Sequence, residues 1–162
     1  MNFLAEWRSA AITTGQIVVQ GRPTPPHTSW VQTSHLVVTP EGSATPIYDD
    51  DITTDENGRF TLSLIPGTYR LWIKGSHTLA SASTAALTYG TNEVAFDILR
   101  EGDANDDNLV NISDFSILAS SFATVSGDAF YDSRADFNDD GVVNISDFSL
   151  LASNYTLAGA AP

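Results

Sequence analysis

Two stretches near the C-terminus carry oxygen-bearing side chains at alternating positions. Asp103, Asn105 and Asp107 begin the first stretch, and Asp, Asn and Asp recur 33 residues later at the start of the second. Carboxylate and amide oxygens are hard ligands, and calcium takes about six to eight oxygens in proteins. Because the two stretches share both residue types and spacing, they predict a duplicated cation site rather than two unrelated acidic turns.

A calcium loop of about 12 residues supplies side chains at positions 1, 3, 5 and 12, a backbone carbonyl at position 7 and often a water at position 9. Two such loops predict two calcium ions. The predicted ligands are Asp103, Asn105, Asp107, the Leu109 carbonyl, Asn111 and Asp114 in the first loop, and Asp136, Asn138, Asp140, the Val142 carbonyl, Asn144 and Asp147 in the second. Position 6 requires a positive φ, which Gly141 adopts freely and Asn108 tolerates better than most residues.

Each loop runs into a segment with apolar residues at helical spacing. The predicted stripes are Ile112, Phe115, Leu118, Ala119 and Phe122 in the first helix, and Ile145, Phe148, Leu151, Ala152 and Tyr155 in the second. We expect both helices to bury these stripes against each other as a small antiparallel pair. Val110 and Val143, at position 8, are expected to pair their backbones with the opposite loop.

The residues before this repeat have a different pattern, with short β-type runs broken by Pro, Gly and Asp-Glu-Asn-Gly turns. Strands are predicted at residues 15–20, 29–39, 44–54, 58–65, 67–75, 78–87 and 92–99. The predicted fold is therefore mainly β with a small α part: an antiparallel sandwich of about seven strands, followed by the duplicated loop–helix module. The predicted divisions are a tail at 1–13, the sandwich at 14–100, the module at 101–157 and a tail at 158–162.

Charge and composition exclude several classes of protein. Residues 101–162 hold 11 acidic residues and one basic residue, so nucleic acid is not an expected partner. Cysteine is absent, which excludes disulfides and thiolate chemistry, and no apolar run is long enough to cross a membrane. The N-terminus has no secretory signal pattern, so an exported protein would be represented here by a mature or truncated form.

Residues 101–157 resemble a type I dockerin, with Asp at position 12 of both loops and the phrase YDSRAD at 131–136. The resemblance implies calcium binding, an extracellular or cell-surface bacterial location, and docking onto a cohesin. It also implies that either helix can engage the partner, in orientations related by a half turn. The implied contact residues are Ile112, Ser113, Leu118, Ala119, Ile145, Ser146, Leu151 and Ala152. Many relatives have glycine at position 4, where this chain has Asp106 and Asp139.

The phrase TTDENGRFTLSLIPGTYRLWIKG at 53–75 resembles, more loosely, carboxypeptidase-regulatory-like or CnaB-like sandwich domains. This resemblance implies a spacer or accessory domain. Some relatives contain a Lys–Asn crosslink that requires a lysine on an early strand. The only lysine of this chain is Lys74, late in the domain, so we predict no crosslink.

The sequence contains no recognisable catalytic motif, and we predict that the protein is not an enzyme. Two other functions remain open. Trp30, Trp72, Tyr48 and Tyr69 could form a sugar-stacking platform, although burial in the sandwich is more expected. The protein could also bind copies of itself in a calcium-stabilised fibre or surface array, with GQIVVQG at 15–21 added to a neighbour's sheet edge. We interpret Asp49-Asp50-Asp51 as a solvated turn rather than a third ion site.

Overall fold

The computed structural model describes residues 10–162, so residues 1–9 of the tail predicted at 1–13 lie outside the described part. Seven strands come first: β1 (Ala11–Gln16), β2 (Thr33–Pro40), β3 (Tyr48–Thr53), β4 (Arg59–Leu64), β5 (Gly67–Gly75), β6 (Ser81–Leu87) and β7 (Gly90–Ala95). Two helices follow, α1 (Ile112–Ser121) and α2 (Ile145–Asn154), with the two-residue strands β8 (Thr124–Val125) and β9 (Val142–Val143) between them. Short 3-10 turns occupy Thr28–Trp30 and Ser133–Ala135.

The seven long strands form two facing sheets, which we call the β-domain (residues 11–100). One sheet has the order β4-β1-β7 and the other β3-β2-β5-β6. Apolar residues at alternate positions, such as Leu36 and Val38 on β2 and Leu71 and Ile73 on β5, point into the space between the sheets and are fully buried. The predicted β-sandwich is confirmed, with one difference: β1 and β7 pair in parallel, whereas we expected only antiparallel pairs.

The first strand begins earlier than predicted. It starts at Ala11 and ends at Gln16, so residues 11–13 belong to the sandwich and not to a tail. Gly15 suggested the start of a strand, but it lies within one, opposite Phe60 of β4. A Cβ atom at Gly15 would stand 2.1 Å from the Phe60 ring, so the missing side chain makes room for an aromatic ring of the core.

The predicted aromatic platform does not form on the surface. Trp30, Trp72 and Tyr69 have exposed fractions of 4%, 8% and 3%, because their rings contribute to the interior of the β-domain or to its contact with the C-terminal residues. Tyr48 is only half-buried and lies alone of the four at the edge strand β3. The acidic residues beside it belong to β3 and are not in a free turn.

His35 of β2 contacts two of these three acidic residues. Its two ring nitrogens lie 3.0 Å from Asp51 and 3.0 Å from Asp49 on the neighbouring strand. These carboxylates raise the pKa of His35 above its ordinary value, chiefly through the hydrogen bond to Asp51. The cluster is therefore a cross-strand ion pair with an imidazole, which the spacing of the three acids alone did not indicate.

Residues 101–157, which we call the C-terminal module, have a second core. Phe137, Val110 and Val143 are fully buried there, together with Leu118 and Leu151 from the two helices. Leu79 of the β-domain belongs to the same cluster. The two parts of the chain therefore share apolar surface, and the module does not hang from the β-domain by a linker alone.

Candidate metal centres and docking face

In both predicted calcium loops, the carboxylate at position 1 is oriented by the loop's own backbone. Oδ1 of Asp103 accepts a hydrogen bond from the Asp107 amide at 3.0 Å, and Oδ2 accepts one from the Asn108 amide at 2.8 Å. Asp136 repeats both bonds in the second loop, at 3.1 and 2.8 Å. Asp103 and Asp136 are both buried, so each loop fixes its first predicted ligand before any cation is considered.

The aspartate at position 12 closes each loop. The two carboxylate oxygens of Asp114 accept from the amides of Asn105 and Asn111, at 3.1 and 2.8 Å. Asp147 bonds the corresponding amides of the second loop at 3.3 and 2.9 Å. Both aspartates are fully buried at the start of a helix. An aspartate is shorter than a glutamate, and here the helix begins close enough to the loop for the shorter side chain to reach.

The backbone turns sharply at positions 4 and 6 of each loop. Asn108 and Gly141 at position 6 have φ of 66° and 82°, as predicted. Asp106 and Asp139 at position 4 also have positive φ, 64° and 57°. Glycine adopts this conformation without strain, which gives a physical reason for the glycine that related sequences carry at position 4. This chain keeps an aspartate there in both loops.

Asn111 and Asn144, predicted near the water position, begin the two helices. Their side-chain oxygens accept from the amides of Ser113 and Ser146, each at 2.7 Å, and each forms a capping box with the aspartate at position 12. An N-cap of this kind contributes about 1 kcal/mol to helix stability. The same residue pair, Asn and Asp three residues later, therefore serves both the loop and the helix.

The donor chemistry of the loops fits calcium. Each loop offers carboxylate, amide and carbonyl oxygens and neither nitrogen nor sulfur ligands, which is the preference of a hard cation. Over residues 10–162, no group of three or more His, Cys, Asp or Glu side chains is already gathered as a metal cluster, since the loop carboxylates bond to backbone amides. Burial raises the pKa of Asp103 and of Asp147, so both carboxylates would gain from a cation beside them.

Backbone pairing in the module differs from our expectation. The two loops do not pair with each other at position 8; each pairs with the segment that follows the opposite helix. The Val143 carbonyl accepts from the Ala123 amide at 2.8 Å, and the Val110 carbonyl accepts from the Thr156 amide at 2.8 Å. The four residues are related by the 33-residue repeat. The two loop–helix units are therefore related by an approximate twofold symmetry. Each loop hydrogen-bonds to the segment that follows the helix of the other unit.

The outer face of the two helices is apolar and nearly symmetric. Ile112 and Ile145 have exposed fractions of 62% and 64%, and Phe115 and Phe148 are both 37% exposed. The two phenylalanine rings meet edge to face with centroids 6.3 Å apart. We call this outer face of the two helices the docking face; it contains a groove of about 380 Å³ that is lined by Ile112, Phe115, Phe148, Leu151, Ala152 and Tyr155.

The predicted stripes are partly wrong. Leu118 and Leu151 are buried at 1% and 2%, and with Asp114 and Asp147 they form the face that each helix turns inward. Ile112, Phe115 and Ala119 on α1, Phe122 directly after it, and their counterparts in the second unit are exposed instead. The stripes combined two adjacent helix faces, because apolar residues occupy both. Leu118 and Leu151 are therefore core residues, while Ile112, Ser113, Ala119, Ile145, Ser146 and Ala152 remain on the surface.

A buried charge cluster joins the β-domain to the module at residue 101. Glu101 is fully buried and faces the His77 ring at 2.5 Å and the Arg22 guanidinium at 3.6 Å. Burial raises the pKa of the Glu101 carboxyl, and the contacts with His77 and Arg22 oppose that rise. Arg22 also approaches Asp139, at position 4 of the second loop, at 3.1 Å. One basic residue of the β-domain thus contacts both the domain junction and the second calcium loop.

The first loop has its own basic partner. Nζ of Lys74, on β5, lies 2.8 Å from Oδ2 of Asp103 and also pairs with Asp106. Lys74 is 9% exposed, so this pair is largely shielded from water. The aspartate at position 4 of each loop therefore pairs with a β-domain cation, which is an interaction that glycine could not make.

The last residues of the chain are not a free tail. The Gly159 amide donates to the Asn108 carbonyl at 3.0 Å, and the Ala160 amide donates to the Ala80 carbonyl at 2.9 Å. The Ala160 carbonyl accepts from the Trp72 indole at 2.8 Å. Residues 158–161 are thus held between the first loop and the β-domain. Gly159 is required there, since a Cβ would stand 2.4 Å from the Ala80 nitrogen.

The C-terminal module matches a known protein family. Residues 101–154 match the family model of the Dockerin type I domain. The prediction of a dockerin type I module at the C-terminus, preceded by a β-rich domain, is therefore confirmed. A search of curated proteins finds no significant match.

Two solved structures share the fold of nearly the whole chain. Both are mutants of a type II cohesin–X–dockerin complex from Acetivibrio cellulolyticus, one altered at the N-terminal and one at the C-terminal interface. The first is 21% identical with a TM-score of 0.71, and the second 20% identical with a TM-score of 0.70. In each case the match covers 92% of this chain and 97% of the other. At this identity the likeness concerns the fold, including the arrangement of the β-domain with the module.

Sequence reasoning did not find the basic residues that contact the loops. Arg22, Lys74 and His77 are isolated in the sequence and far from the repeat that they contact. The sequence contains only an indirect indication of these contacts. Asp106 and Asp139 occupy positions where the backbone has a positive φ and glycine would be unstrained, so a favourable interaction of each side chain is expected to offset the strain. Lys74, the only lysine, was considered only as a crosslinking residue.

Proposed function

We propose that this protein is a non-catalytic, extracellular or cell-surface assembly module that binds two calcium ions and docks its parent protein onto a cohesin. The observation that carries the proposal is the duplicated loop–helix unit, whose two halves together form one exposed apolar face. Hydrophobic, well-packed surface of this kind is typical of the energetic centre of a protein–protein interface. The β-domain, packed against the module, would act as its structural support.

The proposed calcium ligands are those predicted from the sequence, except that Asn111 and Asn144 have helix capping as their main role. Calcium supplies charge neutralisation to three carboxylates per loop, namely Asp103, Asp107 and Asp114 in the first and Asp136, Asp140 and Asp147 in the second. The chain's own contribution is to hold these oxygens with loop amides so that little ordering is left to binding. Extracellular calcium is abundant enough for sites of modest affinity.

A calorimetric titration of the chelator-stripped protein with calcium is expected to show two sites. Asp107→Ala removes the first site and Asp140→Ala the second; both residues are exposed, so the fold of the rest should persist. Calcium at about 100 times the dissociation constant should stabilise each loop by about 2.7 kcal/mol. Asp97→Ala is the matched control, an exposed aspartate outside both loops. Absence of heat at millimolar calcium would remove the proposal.

Docking is expected to depend on the exposed isoleucines of the two helices. The double variant Ile112→Asp/Ile145→Asp places a charge on the docking face from each helix and should weaken binding to its cohesin at least about 30-fold, roughly 2 kcal/mol. Each single variant should lose less, because it leaves the exposed isoleucine of the other helix intact. Surface plasmon resonance against immobilised type I and type II cohesins measures the effect.

Ile65→Asp is the control for this experiment, since Ile65 is 70% exposed but lies in the β-domain. It should leave the affinity for cohesin unchanged. Equal binding by the double variant and the parent protein would place the cohesin contact elsewhere and reject the docking face as the site.

The two alternative functions are not favoured by the structure. Strand addition by the segment 15–21 is disfavoured, because Gly15 and Gln16 already pair on both sides within β1 and Val19 bridges Leu99. The sugar-stacking aromatic residues are mostly buried. No helix among the described residues is long and apolar enough to span a membrane.

A further inference from the structure

The two calcium loops differ in what contacts the outer oxygen of their first ligand. In the first loop, Oδ2 of Asp103 lies 2.8 Å from the ammonium of Lys74. In the second loop, Oδ2 of Asp136 accepts a hydrogen bond from the Tyr131 hydroxyl at 2.7 Å. One partner carries a full positive charge and the other is a neutral phenol. The repeat is thus nearly exact in its ligands but not in their immediate surroundings.

The difference in charge between Lys74 and Tyr131 matters because their contacts with the two aspartates are shielded from water. Lys74 is 9% exposed and Asp103 is fully buried, so water screens their interaction little. In the second loop the β-domain cation Arg22 pairs directly with Asp139 and Glu101, and it acts on Asp136 at longer range without contacting it, whereas Lys74 contacts Asp103. The Tyr131 hydroxyl only donates a hydrogen bond to Asp136 and brings no ammonium or guanidinium to it.

A cation beside a ligand has two opposing effects on calcium binding. It can orient the ligand, which strengthens binding by outer-shell support. It also repels a second cation and withdraws charge from the carboxylate that both must share. Asp103 is already oriented by the Asp107 and Asn108 amides, so orientation by Lys74 adds little, whereas the charge effect has no substitute.

We propose that Lys74 is a built-in counter-ion of the first loop, which makes the two sites unequal: the second loop binds calcium first, and the first loop binds it more weakly but keeps its structure without it. This inference rests on the proposed calcium function. It assigns to the β-domain a direct influence on one of the two sites, through a single side chain on β5. Calcium and Lys74 compete for Asp103, so filling of the first loop weakens that link between the two parts.

The test is a calorimetric calcium titration of the parent protein, Lys74→Met and Tyr131→Phe. Asp107→Ala and Asp140→Ala, each combined with these changes, assign the steps to loops. In the parent protein the first loop should bind at least about tenfold more weakly than the second. Lys74→Met should raise the affinity of the first loop about tenfold and leave the second unchanged. Tyr131→Phe, the matched change in the second loop, should not raise affinity.

A second readout does not depend on calcium. In chelator, amide hydrogen exchange over residues 103–110 should become faster in Lys74→Met, while residues 136–143 keep their protection. Lys74→Gln gives the same comparison should the methionine variant fold poorly.

The outcomes separate this inference from the proposed function. Two sites of equal affinity, or a first loop weakened by Lys74→Met, would overturn the role of Lys74 and leave calcium binding intact. No calcium binding by the parent protein would overturn both.

Discussion

Glu101→Ala is expected to destabilise the protein by about 3–5 kcal/mol, because it removes the buried carboxylate that His77 and Arg22 share and leaves Arg22 only its contact with Asp139. Arg22 has a side-chain exposure of 3% and Glu101 is fully buried, so water cannot replace the lost partner. The contact between the two parts of the chain should weaken, since Glu101 is the first residue of the module and its carboxylate faces β-domain residues, although its backbone bonds to Gln20 and Asn154 remain. Chemical denaturation followed by Trp fluorescence measures the change.

Two comparisons make this result specific. Glu101→Gln keeps the volume and a polar group, so it should cost less than the alanine change. Glu56→Ala, at an exposed position of the β-domain, should change stability by no more than about 0.5 kcal/mol. If Glu101→Ala behaved like Glu56→Ala, the buried charge cluster would contribute nothing to holding the two parts together.

Phe137→Ala is expected to cost about 3–5 kcal/mol through the cavity it leaves in the module core. Phe137 is fully buried beside Val110 and Val143, and its ring lies 5.9 Å from that of His77. It also occupies position 2 of the second loop, where its amide bonds Asp147 at 2.8 Å. Loss of the ring should therefore lower both the free energy of unfolding and the calcium affinity of the second loop.

Phe130→Ala provides the control, since Phe130 is 79% exposed and lies in the same module. It should leave the melting temperature and both calcium sites almost unchanged. A Phe137→Ala protein as stable as Phe130→Ala would mean that the module is held by its loops and not by its core.

The parts predicted best from the sequence are those specified by local spacing. The turns and helix starts of the repeat need only a short run of Asp and Asn at alternate positions and an Asn followed by Asp three residues later, whereas the calcium ligands assigned to them stay a prediction. The strands from β2 onward follow from alternation and turn residues. The confirmed dockerin module and β-sandwich both rest on such short-range patterns.

The remaining features depend on contacts between distant residues. Lys74 and Asp103 are separated by 29 positions, and nothing near Lys74 indicates its partner. The helix faces were misassigned because apolar residues serve both the core and the docking face, and only tertiary packing separates Leu118 from Phe115. The start of β1 was predicted too late because Gly15 suggests the beginning of a strand. Its role inside β1 is to leave room for the Phe60 ring, and that role depends on the opposite strand β4.

The C-terminal residues give the molecule a mechanical property. The β-domain and the module are joined once where the chain passes from Arg100 to Glu101, and again where Ala160 returns to bond Ala80. A load applied through the helices is thus carried along two parallel paths instead of a single swivelling tether. The contacts of Ala160 must break before the parts can rotate about the Arg100–Glu101 connection, so a pulled assembly would transmit force in a fixed direction and resist opening from one end.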